Sequence, residues 1–129
     1  MILLDTHIFI WWVDNSSRLS QRHRQIIQQR QDDGLAISIY SCWEIAKLVE
    51  YGKLGMKLSI ENWLEIALSH PNLQCIDLTI PIIIKSTQLS DFHKDPADQI
   101  IVATSMILGV PLLTADDKII AYSDVTTLS

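Results

Sequence analysis

Short apolar runs alternate with stretches of helical spacing along this chain, and that alternation is its tightest constraint. The runs are Ile2–Leu4, residues 35–39, residues 73–78 and residues 111–113, with a weaker one at 125–128. Their continuous apolar character is that of strands buried on both faces. Between them, apolar residues recur at intervals of three and four. The clearest set is Ile60, Trp63, Leu64, Ala67 and Leu68, behind Ser59 as a cap. Further helices are expected over 7–13, from Leu19 to about Gly34, over 42–51, over 81–89, from Asp95 and Pro96 to Gly109, and over 117–122. The segment before Gly109 is apolar on most sides and should be central. This order predicts a parallel sheet covered on both faces. Such sheets offer ligand sites at the carboxyl ends of their strands.

A chain of 129 residues suits one domain, here 1–129, and 48% hydrophobic residues suffice for its core. Cys42 and Cys75 fit no metal-ligand spacing and read as idle thiols of a reducing compartment. The N-terminus lacks a basic n-region and a small-residue cleavage site. The uncharged stretch 100–115 is broken by Gly109 and Pro111 and is too short to span a bilayer. A cytoplasmic location without membrane attachment is therefore expected. The net charge of −5 argues against a tight, sequence-blind nucleic-acid coat. A cluster of acids with a divalent cation would account for much of it.

Four acids fall at telling places. Asp5 directly follows the first apolar run, Glu44 lies a few residues past the second, and Asp116 follows 111–113. Asp98 sits in the first turn of the helix that Asp95 and Pro96 open. In a parallel sheet the first three emerge at one edge, and Asp98 can lean over it. Carboxylates gathered there raise one another's proton affinity unless a cation is present. Ligation by oxygen alone suits Mg²⁺ or Mn²⁺. Each acid also has a purely structural reading. Ser41 and Glu44 spell a capping box, in which Glu44 would only satisfy a backbone N–H. Asp95 and Asp116 read as N-caps, Asp98 as an acid favoured by the helix dipole, and Asp5 as a strand end. Capping and metal binding are compatible, because a capped helix end holds its carboxylate rigid.

The same residues carry a resemblance. The chain resembles the PIN-domain nucleases, and within them the VapC-type toxins of bacterial toxin–antitoxin pairs, over nearly its whole length. Leu3-Leu4-Asp5-Thr6-His7 looks like the family's first acidic motif. Ser41-Cys42-Trp43-Glu44 with Lys47 and Gly52-Lys53-Leu54 looks like the second. His93-Lys94-Asp95-Pro96-Ala97-Asp98 looks like the third, and Leu112-Leu113-Thr114-Ala115-Asp116 like the fourth. The resemblance implies a three-layer α/β/α sandwich with a central, mainly parallel sheet. It implies Mg²⁺- or Mn²⁺-dependent cleavage of single-stranded RNA, a homodimer, and silencing by a cognate antitoxin whose tail covers the acidic pocket. Gln99 departs from the pattern, which often has Arg there.

On this reading Asp5 and Asp98 hold the principal ion, partly through water. Glu44 and Asp116 complete the pocket, orient the attacking water or support a second ion. Thr6 and Thr114 are candidates to hydrogen-bond the carboxylates, against ordinary turn chemistry. His7 and His93 have no evident partner and read as structural or peripheral. Lys47, Lys53, Lys57 and Lys94 are candidate phosphate contacts. Trp11, Trp12, Trp43 and Trp63 are expected in the core or at interfaces before base stacking. The competing classes are an Mg²⁺-binding signalling receiver, an Asp-nucleophile phosphatase and a non-catalytic partner-binding module. A receiver wants paired acids after its first strand, where Asp5 stands alone.

Overall fold

The computed structural model describes residues 1–128. In chain order its elements are β1 (Ile2–Leu4), α1 (Thr6–Val13), α2 (Gln21–Arg30), a 3-10 turn (Gln31–Asp33), β2 (Leu35–Ser38), α3 (Ile39–Glu50) and α4 (Ile60–Leu68). Then come β3 (Leu73–Ile76), α5 (Ile80–Ser86), α6 (Pro96–Leu108), β4 (Leu112–Leu113), α7 (Asp117–Ile120) and β5 (Thr127–Leu128). The strands form one sheet in the order β3-β2-β1-β4-β5. Every pairing is parallel, with Leu3 opposite Ala36 on one side and Leu112 on the other.

The period-2 geometry of a strand sorts the apolar runs onto two faces. Ile2, Leu4, Leu35, Ile37 and Leu113 join one core with Phe9, Ile27, Ile45 and Trp63, which come from α1 to α4. Leu3, Ala36 and Leu112 join a second core with Ile101 and Val102 of α6 and Ile119 of α7. This double burial is why the strands lack polar alternation, and it makes the fold a three-layer sandwich. β1 lies at its centre with all three residues fully buried. Helix α6 buries Ile101, Val102, Ala103, Thr104 and Ser105 but exposes Ile107 and Leu108 near its end. It closes on Gly109, whose φ of 65° suits a residue without a Cβ. Among the described residues no helix is long and apolar enough to cross a membrane.

Several boundaries differ from the sequence reading. The capping box at Ser41 and Glu44 does not form. The strand β2 stops at Ser38, whose hydroxyl oxygen accepts the Tyr40 N–H at 3.1 Å and starts α3 three residues earlier. Ser41 is therefore inside the helix and fully buried. The helix α1 begins at Thr6, with Asp5 as its cap rather than a simple strand end. Likewise α5 begins at Ile80 behind the Thr79 cap and ends at Ser86. The hydroxyls of Ser86 and Thr87 donate to the Ile83 and Ile84 carbonyls at its close.

Candidate active site

Each acid reaches the carboxyl edge of the sheet by a different local device. Asp5 follows β1 and caps α1, its Oδ1 accepting the Thr6 N–H at 2.8 Å. Asp116 follows β4 and caps α7, its Oδ1 accepting the Lys118 N–H at 2.8 Å. Asp95 caps α6 by accepting the Asp98 N–H at 3.1 Å, which fixes the turn that carries Asp98. Glu44 projects from the second turn of α3. All five acids line one cleft of about 480 Å³, together with His7, Trp11 and Arg18.

A hydroxyl network holds the floor of this cleft. Thr114 donates from Oγ1 to Asp5 Oδ2 at 2.7 Å and accepts the Asp116 N–H at 3.0 Å. One threonine thus couples the first and fourth acidic segments. Thr6 donates to Ser41 Oγ at 2.8 Å, a fully buried contact between α1 and α3. The Glu44 carboxylate lies beside the same hydroxyl, whose one proton can serve either Ser41 or Glu44.

The electrostatics record the crowding. Burial pushes Asp98 up to about 7, with Asp95, Asp5, Asp116 and Glu44 adding repulsion in that order. Burial also raises Asp5, opposed by the hydrogen bonds from Thr114 and Thr6 and by His7. Glu44 is raised by burial first, against the Thr6 hydrogen bond, with Asp5 adding repulsion. Burial is the first cause at all three, and repulsion between the carboxylates adds to it.

Three comparisons with known proteins bear on this cleft. A family model described as "PIN domain" matches residues 2–125. The chain belongs to the PIN domain family. It is similar to a protein of Mycobacterium tuberculosis named Ribonuclease VapC22, at 31% identity over 119 residues, covering 92% of this chain and 88% of that one. Among solved structures it resembles the FitAcB crystal structure from Neisseria gonorrhoeae, with a TM-score of 0.72 and 19% identity, covering 100% of this chain and 97% of the other. It also resembles VapBC2 from Rickettsia felis bound to a promoter DNA fragment, with a TM-score of 0.71 and 20% identity over 99% of this chain and 98% of that chain.

In this PIN domain the donors facing the cleft are carboxylate oxygens, the chemistry that a hard divalent cation prefers. Among the described residues no three His, Cys, Asp or Glu side chains make a ready-made metal cluster.

Other polar residues at the PIN cleft depart from the sequence reading. His93 is not isolated: its Nε2 lies 3.0 Å from Asp98 Oδ2. That atom is buried and the approach is off the line of a hydrogen bond, so it has no such partner among the described residues. Gln99, in the place of the frequent Arg, donates to the His93 carbonyl at 3.2 Å and braces the same loop. Lys47 turns to Glu50 at 3.1 Å, over the rings of Trp43 and Tyr51. Lys57 lines a separate hollow beside Met56 and Trp63. Arg18 enters the cleft from the polar loop before α2, where no periodicity or motif marked it.

Proposed function

We propose that this protein is a metal-dependent endoribonuclease that cuts single-stranded RNA and is the toxin of a toxin–antitoxin pair. The observation that carries this reading is the meeting of Asp5, Glu44, Asp98 and Asp116 in one cleft at the carboxyl edge of the sheet. The relative named a ribonuclease, alike over most of both chains, supports the choice of RNA. Asp5 and Asp98 would hold Mg²⁺ or Mn²⁺, partly through water, with Glu44 and Asp116 completing the site. Such an ion supplies positive charge to a phosphate oxygen and lowers the pKa of a bound water.

The chain's own part is positioning. Thr114 holds Oδ2 of Asp5, and the Thr6–Ser41 hydrogen bond ties α1 to α3, the helix that carries Glu44. The caps at Asp5, Asp95 and Asp116 set the backbone on which the acids stand. Repulsion among the acids is the reservoir that a cation relieves on binding. An antitoxin segment that occupied this cleft would cover the acids and silence the enzyme. A homodimer belongs to the same reading, and the exposed Ile80, Ile83 and Ile84 of α5 form an apolar face for a second copy.

The test is Asp5→Asn, assayed on single-stranded RNA and DNA with Mn²⁺ and with chelator. Wild type is expected to cut RNA only with the ion. The variant should keep its circular dichroism and lose cleavage. Full activity in Asp5→Asn overturns the assignment. Growth arrest on expression, relieved by a co-expressed antitoxin and absent with Asp5→Asn, tests the toxin role.

A further inference from the structure

The acidic cleft does not end at its carboxylates. Beside α1 it opens into a second concavity of about 330 Å³, and His7, Trp11 and Arg18 belong to the walls of both. Farther out, Lys53 and the apolar Leu48 and Leu54 line the second concavity. The charge changes along this path. Arg18 and Lys53 are the cations of the outer concavity, and neither side chain has an ion-pair or hydrogen-bond partner among the described residues. By contrast, Arg24 is held by Asn15 Oδ1 and the Ser16 carbonyl. Asp14 is the acid of this concavity, and its Oδ1 is occupied by the indole N–H of Trp63 at 2.9 Å.

Trp11 stands at the junction. It is half-buried against the core that contains Phe9, so the sandwich fixes its ring. His7 lies beside it at 5.8 Å between centroids. A fixed indole next to two unpartnered cations is the combination that single-stranded nucleic acid requires: a face for a base and charges for its phosphates. A strand whose reacting phosphate sits among five acids also needs compensation just outside them.

We propose that this second concavity is a subsite for the nucleotide adjoining the scissile phosphate, with its base stacked on Trp11 and its phosphate held by Arg18 and Lys53. The subsite rests on the ribonuclease reading and adds to it a defined path for the RNA. Trp11, Arg18 and Lys53 are positioning residues here. They act on binding more than on the chemical step, so their loss raises KM with kcat nearly unchanged. Stacking tolerates any base, so the subsite confers a need for length rather than for sequence.

The experiment uses the full chain and a mixed-sequence single-stranded RNA of about twelve nucleotides. Trp11→Ala is expected to raise KM about ten-fold, and Trp11→Phe, which keeps an aromatic face, to recover most of it. In the Asp5→Asn background, Arg18→Ala and Lys53→Ala should each flatten the slope of log affinity against log salt by about 0.7. Both cations are exposed, so these two variants carry the test even where Trp11→Ala unfolds. If wild type cuts RNA, Asp5→Asn does not, and all three substitutions leave KM and the salt slope unchanged, the subsite is overturned while the ribonuclease reading stands. If the substitutions weaken only the hold of an antitoxin protein, the concavity is a protein seat and the subsite is likewise overturned. If wild type cuts no RNA with Mn²⁺, the ribonuclease reading and the subsite fall together.

Discussion

Replacing Asp98 with Asn should make the metal-free protein more stable while removing its activity. Asp98 holds its proton up to about 7 against 3.8 for a free carboxyl. Roughly three pKa units correspond to about 4 kcal/mol between the two protonation states. The side chain is 17% exposed at the rim of an open cleft. Solvent screening there reduces the penalty to about 2 kcal/mol. A carboxyl that binds its proton more tightly in the folded state destabilises that state when it ionises. The penalty is complete above about pH 7, shrinks as pH falls from about 7 towards 3.8, and is gone below. Asparagine keeps the shape and never ionises. Urea unfolding followed by tryptophan fluorescence, with chelator, should show the variant about 2 kcal/mol more stable at about pH 8. The gain should decline steadily towards about pH 4. Saturating Mn²⁺ should also erase it, because the ion stabilises the ionised wild type. A variant no more stable than wild type at the higher pH would refute the claim that burial and the neighbouring acids penalise the Asp98 carboxylate.

Three further outcomes follow from other contacts. Thr114→Val keeps the shape but removes the donor to Asp5 Oδ2. Cleavage or Mn²⁺ affinity should fall about 10–100-fold with the fold intact by circular dichroism. Asp116→Asn and Asp116→Ala should both lose activity, but only Ala should cost about 1 kcal/mol in urea unfolding, because Asn still caps α7. Burial pushes the Cys42 thiol up to about 12. Iodoacetamide should therefore label Cys42 only after unfolding, and rapid labelling at Cys42 in the native protein, located by peptide mapping to separate it from the partly buried Cys75, would contradict the packing of α3 against the sheet.

What the sequence disclosed and what it hid differ by the range of the interaction. The strands were legible because β1, β2 and β4 are buried on both faces, and that burial writes a continuous apolar run into the chain. The positions of Asp5 and Asp116 followed, since each comes directly after such a run. Thr114 was legible as a candidate to hold a carboxylate, but nothing local said which acid it would reach. Thr114 reaches Asp5 across 109 residues, and Thr6 reaches Ser41 across 35. Only strand order brings such pairs together, and no local pattern encodes it. Ser41 failed for a related reason: the sequence of a capping box is present, but β2 ends early and Ser38 takes the cap first.

Asp95 and Asp116, read as caps, and Asp5, read as a strand end, all cap helices while lining the cleft, so capping leaves each free to serve the site. Asp5 uses Oδ1 for the Thr6 N–H and turns Oδ2 to Thr114. Asp116 and Asp95 likewise cap through Oδ1 while standing in the cleft wall. A carboxylate has two oxygens and can serve both demands at once. Capping fixes the backbone and one oxygen, so the side chain loses little further freedom when an ion arrives. Asp98 and Glu44 cap nothing. Both are raised by burial and by repulsion from neighbouring acids, and no backbone N–H bond of a cap holds either carboxylate in place, so an arriving ion has more side-chain freedom to remove at these two than at the capping acids.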